Sequence, residues 1–274
     1  MLDVQMHQHG RYTAFLVVLS LRGVPMDYEK DFLDMYGNTS LGNIHYRHHG
    51  GAGEKIIFLH GFGMDTRVWS RLVEYLPDEL DITLVDLLGY GLSDAPDVDY
   101  TVSTQFQILK EFIALKNNQK GYIFGHSYGG WIAAYYAAQP NTCKGIILED
   151  AAGLKSYFDS ITDMSMAEDY KEMQIKNAMR LNSNRVHVIK STVDSDFEED
   201  QLTPEMLGTI DKRTLIIWGS EDDIIGKKFA TMFNDSIHNS RLEFIEGAKH
   251  NPHYSNPEEV ASLILDFIGT NRNL

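Results

Sequence analysis

Short, uninterrupted apolar runs recur along this chain, each parted from the next by an amphipathic stretch. That alternation limits the fold more than any other feature. The runs are "KIIFLHG" (55–61), "DITLVDLLG" (81–89), "GYIFGHS" (121–127), "KGIILED" (144–150) and "RTLIIWG" (213–219), and "RLEFIEG" (241–247) reads as a further strand. A strand buried on both faces reads this way, because neither face has to be polar. Between the runs, "TRVWSRLVEYL" puts Val68, Leu72, Val73 and Leu76 on one helical face, and "TVSTQFQILKEFIALKNN" is a long amphipathic helix. "YGGWIAAYYAAQ" is a helix stopped by Pro140, "GKKFATMFNDSI" another, and "NPEEVASLILDFIGT" a terminal helix with Pro257 near its start. Ahead of all these, "YEKDFLDMYG" and "NIHYRHHG" read as an antiparallel pair joined by "NTSLG". Strands interleaved with helices specify an α/β fold: a mainly parallel, doubly wound sheet of about eight strands.

One segment breaks the rhythm. Residues 154–208 hold no buried strand but carry Met164, Met166, Met173 and Met179, then the acidic run "DSDFEED". Tyr170, Met173, Ile175 and Met179 can line one side of a helix, so the segment reads as a small helical insertion. Its methionines suit either ordinary helix packing or a lid whose adaptable thioethers face a ligand. The acidic run reads as a solvated loop. The expected divisions are residues 26–153 and 209–274 as core and 154–208 as insertion. Residues 1–25 are expected to be a loosely attached extension: their apolar run "AFLVVLSL" is too short to span a bilayer, and no clear cleavage site follows it.

Composition narrows the partners. A formal net charge of −15 repels phosphate backbones, so nucleic acid is not an expected partner. The single cysteine, Cys143, rules out an intrachain disulfide. It reads as an inert buried thiol, and a reducing, cytoplasmic location is the simplest expectation. Oligomeric state is open.

The chemistry centres on "GHSYGG" (125–130). G-x-S-x-G between a strand and a helix holds the serine out on a sharp turn, and the glycines leave room for close-packed backbone. Ser127 also lies at the positive end of the following helix. A serine hydroxyl needs a base, and the base an orienting acid. Asp222 stands just past "RTLIIWG" and His250 just past "RLEFIEG", in the chain order Ser, Asp, His.

Five motifs in this order make the chain similar to the α/β-hydrolase superfamily. They are "HGFG" (60–63), D-x-x-G-x-G-x-S (86–93), "GHSYGG" (125–130), G-x-x-D (219–222) and G-x-x-H (247–250). The resemblance covers nearly all of residues 27–270. It is to the branch with a helical cap after the sixth strand, home of esterases, proline iminopeptidases and carbon–carbon hydrolases. It implies a catalytic triad of Ser127, Asp222 and His250. It also implies an oxyanion hole from the backbone N–H groups of Phe62 and Tyr128, an acyl-enzyme intermediate, and neither cofactor nor metal. The family commonly has proline where Leu88 stands, in a loop read as structural.

Rivals to these assignments are His60 and His126, read as structural; Asp223, beside Asp222; Glu149 and Asp150, where some relatives place the acid; and His253. The histidines of "HYRHH" (45–49) read as a solvated cluster with no carboxylate at ligand spacing. A serine at the elbow, in place of aspartate, disfavours dehalogenation and epoxide hydrolysis. The expected activity is hydrolysis of a small carboxylic ester. The alternatives are an aminopeptidase or carbon–carbon hydrolase, and a non-hydrolytic acyltransferase, lyase or ligand sensor on the same site.

Overall fold

The computed structural model describes residues 30–116, 120–161, 164–181, 185–196 and 200–269. The expected N-terminal extension lies outside these. Eight strands form one sheet: β1 (Leu33–Thr39), β2 (Gly42–His49), β3 (Lys55–Leu59), β4 (Asp81–Val85), β5 (Tyr122–His126), β6 (Gly145–Glu149), β7 (Arg213–Gly219) and β8 (Ser240–Ile245). Their order is β1-β2-β4-β3-β5-β6-β7-β8. β1 and β2 pair antiparallel, as do β2 and β4, and every other pair is parallel.

The helices are α1 (Ser70–Val73), α2 (Val102–Leu115), α3 (Tyr128–Ala138), α4 (Lys155–Asp159), α5 (Met164–Leu181), α6 (Val186–Asp196), α7 (Pro204–Leu207), α8 (Lys228–Ser236), α9 (Pro252–Ser255) and α10 (Pro257–Ile268). Consecutive residues of a central strand bury into opposite halves of the core. Leu59, Ile123, Ile146, Leu148, Ile216 and Trp218 pack with Phe106 of α2, Trp131 of α3 and Phe229 of α8. Ile56, Phe58, Phe124, Ile147, Leu215 and Ile217 pack with Leu72 of α1 and Ile264 of α10. The unbroken apolar runs follow from this two-sided burial.

Caps and stops match local chemistry. Thr101 accepts from the Thr104 N–H at 3.0 Å to start α2, and α10 opens on Pro257 and ends at Gly269, whose φ is 83°. "TRVWSRLVEYL" departs from the expected single helix. It forms a 3-10 turn over Thr66–Trp69 and then only the one-turn α1, and Pro77 bars helical continuation at Leu76. The apolar face survives, with Val68, Leu72, Val73 and Leu76 all buried.

Helices α4 to α7 lie between β6 and β7. The neck of this excursion is tied by a bridge between Leu154 and Leu202. There Lys155 N–H donates to Leu202 O at 2.9 Å, and Leu202 N–H to Gly153 O at 2.7 Å.

Candidate active site

Ser127 sits between β5 and α3 with φ 50° and ψ −113°. An L-residue rarely holds such a backbone, and it persists only where the surroundings enforce it. Here they do: Ser127 N–H donates to Glu149 O on β6 at 2.9 Å, and its carbonyl accepts from Ala152 and Trp131 N–H, each at 3.0 Å. The flanking glycines are required by space. A Cβ on Gly125 would lie 2.2 Å from Gly129 O, and one on Gly129 would lie 2.2 Å from Leu59 O.

Two later loops reach this turn. His250 Nε2 lies 3.0 Å from Ser127 Oγ, and His250 Nδ1 lies 2.9 Å from Asp222 Oδ2. Asp222 Oδ2 accepts, so Nδ1 carries the hydrogen and Nε2 is left to accept from the serine hydroxyl. The other carboxylate oxygen, Oδ1, accepts from Ile224 and Ile225 N–H at 2.8 and 3.0 Å. Ser127, His250 and Asp222 therefore form one hydrogen-bonded chain. Phe62 and Tyr128 border the same cavity as Ser127, and among the described residues neither backbone N–H meets an acceptor.

The rival residues have other partners. Asp223 is exposed and pairs with Lys249 at 2.9 Å. Glu149 is buried beneath the His250 loop, where it accepts from the His253 backbone N–H at 2.8 Å and from its ring Nδ1 at 2.5 Å. Asp150 accepts from Gly219 N–H at 2.9 Å. Burial, with the charges of Asp222 and Glu149 close by, pushes its carboxyl far above the usual range. His60 is buried between the Gly61 carbonyl at Nδ1 and the Leu87 N–H at Nε2. His126 Nε2 donates to His250 O at 2.7 Å. Burial, with His253 and His250 nearby, drives its pKa well below the usual imidazole value, so it stays neutral beside His250.

Buried groups of His126, Asp150 and His250, and of His126, Glu149 and His253, bring ligand-type atoms within 4.8 Å. Both ring nitrogens of His250 and both oxygens of Glu149 already bond within the protein, so neither group offers a free ligand set. Among the described residues no helix is long and apolar enough to cross a membrane. Cys143 is buried, and burial pushes its thiol up to about 11.

Two expectations are corrected. The histidines of 45–49 are not a solvated cluster. His45 is buried, 2.7 Å from Asp86 and 3.0 Å from Asp34. β2 is an interior strand, which turns His45 toward the end of β4, and its carboxylates come from distant positions that spacing along the chain does not reveal. Asp86 also accepts from Thr66 and Leu92 N–H at 2.7 and 2.8 Å, stitching the 86–93 loop together. Nor is the acidic run simply a solvated loop. Asp196 ends α6 facing the cavity, and Asp200 accepts from Ser103 N–H at 2.7 Å.

The cavity beside Ser127 measures about 50 Å³. Phe62 and Trp131 wall it from the core, and Tyr157, Tyr170, Gln174 and Asp196 from the helices after β6. On α5 the lining residues are Tyr170 and Gln174, one turn apart. Met173 and Met179 do not line it, and Met179 packs against the core, which favours the packing reading for those two. The side chains of Met164 and Met166 lie outside the described residues.

A family model described as alpha/beta hydrolase fold matches residues 55–182. The chain is 27% identical to human monoacylglycerol lipase ABHD6 over 297 aligned positions, covering 87% of this chain and 86% of that protein. It superposes on an esterase from Exiguobacterium antarcticum with a TM-score of 0.73 at 22% identity, over 86% of this chain and 100% of that one. A serine hydrolase involved in carbazole degradation gives a TM-score of 0.73 at 21% identity, over 88% and 100% of the two chains. At such identities the solved structures speak to fold.

Proposed function

We propose that this chain, which matches a family model of the alpha/beta hydrolase fold over residues 55–182 and shares that fold with solved hydrolases, is a serine hydrolase cleaving a small carboxylic ester through an acyl-enzyme. The hydrogen-bonded chain from Ser127 through His250 to Asp222 is the observation that supports this most. In this mechanism Ser127 Oγ attacks the ester carbonyl carbon while its proton passes to His250 Nε2. Asp222 holds the ring by Nδ1–H and stabilises the imidazolium. The oxyanion rests on the N–H groups of Phe62 and Tyr128; one such donor contributes about 2.7–4 kcal/mol to lowering a barrier of this kind. The carbon–oxygen bond then breaks, and the leaving alcohol takes the proton from His250. Water, deprotonated by His250, attacks the acyl-enzyme, releases the acid and restores Ser127.

We read residues 154–208 as a cap whose helices roof the cavity, so this segment would choose the substrate. A cytoplasmic location rests on the lone cysteine alone. Because curated relatives carry the name monoacylglycerol lipase, glycerol esters join simple short esters as first substrates to test. A fluorophosphonate should label Ser127, and Ser127→Ala should lose both the label and turnover of p-nitrophenyl butyrate while keeping its circular dichroism. Wild-type turnover in that variant overturns the proposal.

A further inference from the structure

The aromatic wall of the cavity beside Ser127 is broken at two points. Asp196 Oδ1 and Tyr128 Oη are both buried and both residues line the cavity; Asp196 Oδ1 has no hydrogen-bond partner among the described residues, and Tyr128 Oη stands beside the Thr192 hydroxyl without reaching full hydrogen-bond geometry. Nearby polar groups are already engaged. Tyr170 Oη receives the Gln174 amide at 2.6 Å and the Tyr157 hydroxyl at 3.3 Å. Thr192 Oγ1 donates to Val188 O at 3.0 Å and contacts Tyr90 Oη at 3.0 Å, which leaves it one lone pair beside Tyr128. Buried polar atoms without partners are uncommon in folded proteins, and an unmet carboxyl oxygen on one lining residue with an under-satisfied hydroxyl on another points to a ligand group that completes them.

The chemistry of the pair selects the group. Burial pushes the Asp196 carboxyl up to about 8 against the opposing charge of Lys171, so at neutral pH it is largely protonated and both donates and accepts. The Tyr128 hydroxyl does the same. A hydroxyl matches two such partners. An ammonium donates only; it would need Asp196 ionised in an apolar cavity and would sit near the charge of Lys171. A plain hydrocarbon completes neither atom.

We infer that Asp196 and Tyr128 determine specificity by receiving a neutral hydroxyl on the part of the substrate that enters this cavity. The inference rests on the ester-hydrolase reading of the site. That hydroxyl can belong to the acyl half or to the alcohol half, and two pairs of esters separate them. Methyl 3-hydroxybutyrate is compared with methyl butyrate, and glyceryl monobutyrate with propyl butyrate.

In at least one pair the wild-type kcat/KM should favour the hydroxylated ester by about tenfold to a hundredfold, as expected when a binding site is built around a hydroxyl. The preference should collapse in Asp196→Leu and in Tyr128→Phe. Asp196→Asn should restore much of it, because a carboxamide also donates and accepts. The idea is overturned if both pairs show no preference, if the preference persists in the variants, or if methyl 3-aminobutyrate outruns its hydroxy counterpart. Should wild-type protein hydrolyse none of these esters, the hydrolase reading falls, and the inference is then judged by binding. Calorimetry on Ser127→Ala with the same esters should give tighter Kd for a hydroxylated member, lost on adding Tyr128→Phe; equal Kd within both pairs overturns it.

Discussion

At the residue scale, the proposed base has its tautomer chosen for it. Asp222 Oδ2 can only accept, so His250 Nδ1 must donate and Nε2 must face Ser127. Asp222→Asn presents an amide that can turn a donor toward the ring and favour the wrong tautomer. The expected result is a fall in kcat of about 10⁴-fold on p-nitrophenyl butyrate with little change in folding. Glu149 does different work at almost the same place. It pairs with His253 in a fully buried contact under the His250 loop, and Glu149→Ala removes the acceptor of both the His253 ring and its backbone N–H. Breaking a buried pair costs about 3–5 kcal/mol, to be read as a lower urea midpoint. Asp196 carries a pH signature. Burial pushes its carboxyl up to about 8, above the ordinary carboxylate value of 3.8, so the stability its protonation provides is complete below about 4 and lost as pH rises through about 8. Wild-type stability measured against Asp196→Asn in urea should therefore decline between pH 5 and pH 8.5; a flat difference would refute the assignment.

At the element scale, the elbow depends on how closely β5, α3 and β3 approach. Gly129→Ala would set a methyl 2.2 Å from the Leu59 carbonyl, which backbone cannot yield without moving β3. The loss should reach or exceed the ~1–3 kcal/mol usual for overpacking, seen as a lower Tm. Elements with a strong local signal were legible in the sequence. The doubly buried strands announced themselves by unbroken apolar runs, α10 by its proline and glycine ends, and the elbow by its glycines. The helix at 66–76 was legible as an apolar face but not in its split into a 3-10 turn and a single α-turn. On α5 the expected face of Tyr170, Met173, Ile175 and Met179 gives the cavity wall only Tyr170, and its other member, Gln174, is polar and so left no mark in the apolar pattern.

At the scale of the whole molecule, the site exists because the parallel order β3-β5-β6-β7-β8 carries the ends of three strands to one edge of the sheet. The loops after β5, β7 and β8 meet there, in the crevice where open α/β sheets place ligands. The helices after β6 close over it and leave about 50 Å³. We expect acetyl and butyryl esters to be hydrolysed faster than dodecanoyl esters of the same alcohol. A chain-length profile rising toward dodecanoyl would mean that α4 to α6 part from the core during turnover.

The sequence by itself determined the alternation of elements and the mainly parallel sheet, and it offered Ser127, Asp222 and His250 as candidates after successive strands. These rest on local pattern: burial on two faces, tight turns, and strand ends. Only the tertiary structure decided which side chains far apart in the chain became neighbours. His45 met Asp86 and Asp34, His253 met Glu149, and Asp196 and Tyr128 came to share a cavity with Ser127. Such pairings depend on strand order and on helix placement over the sheet, and a one-dimensional pattern carries no distance between positions a hundred residues apart.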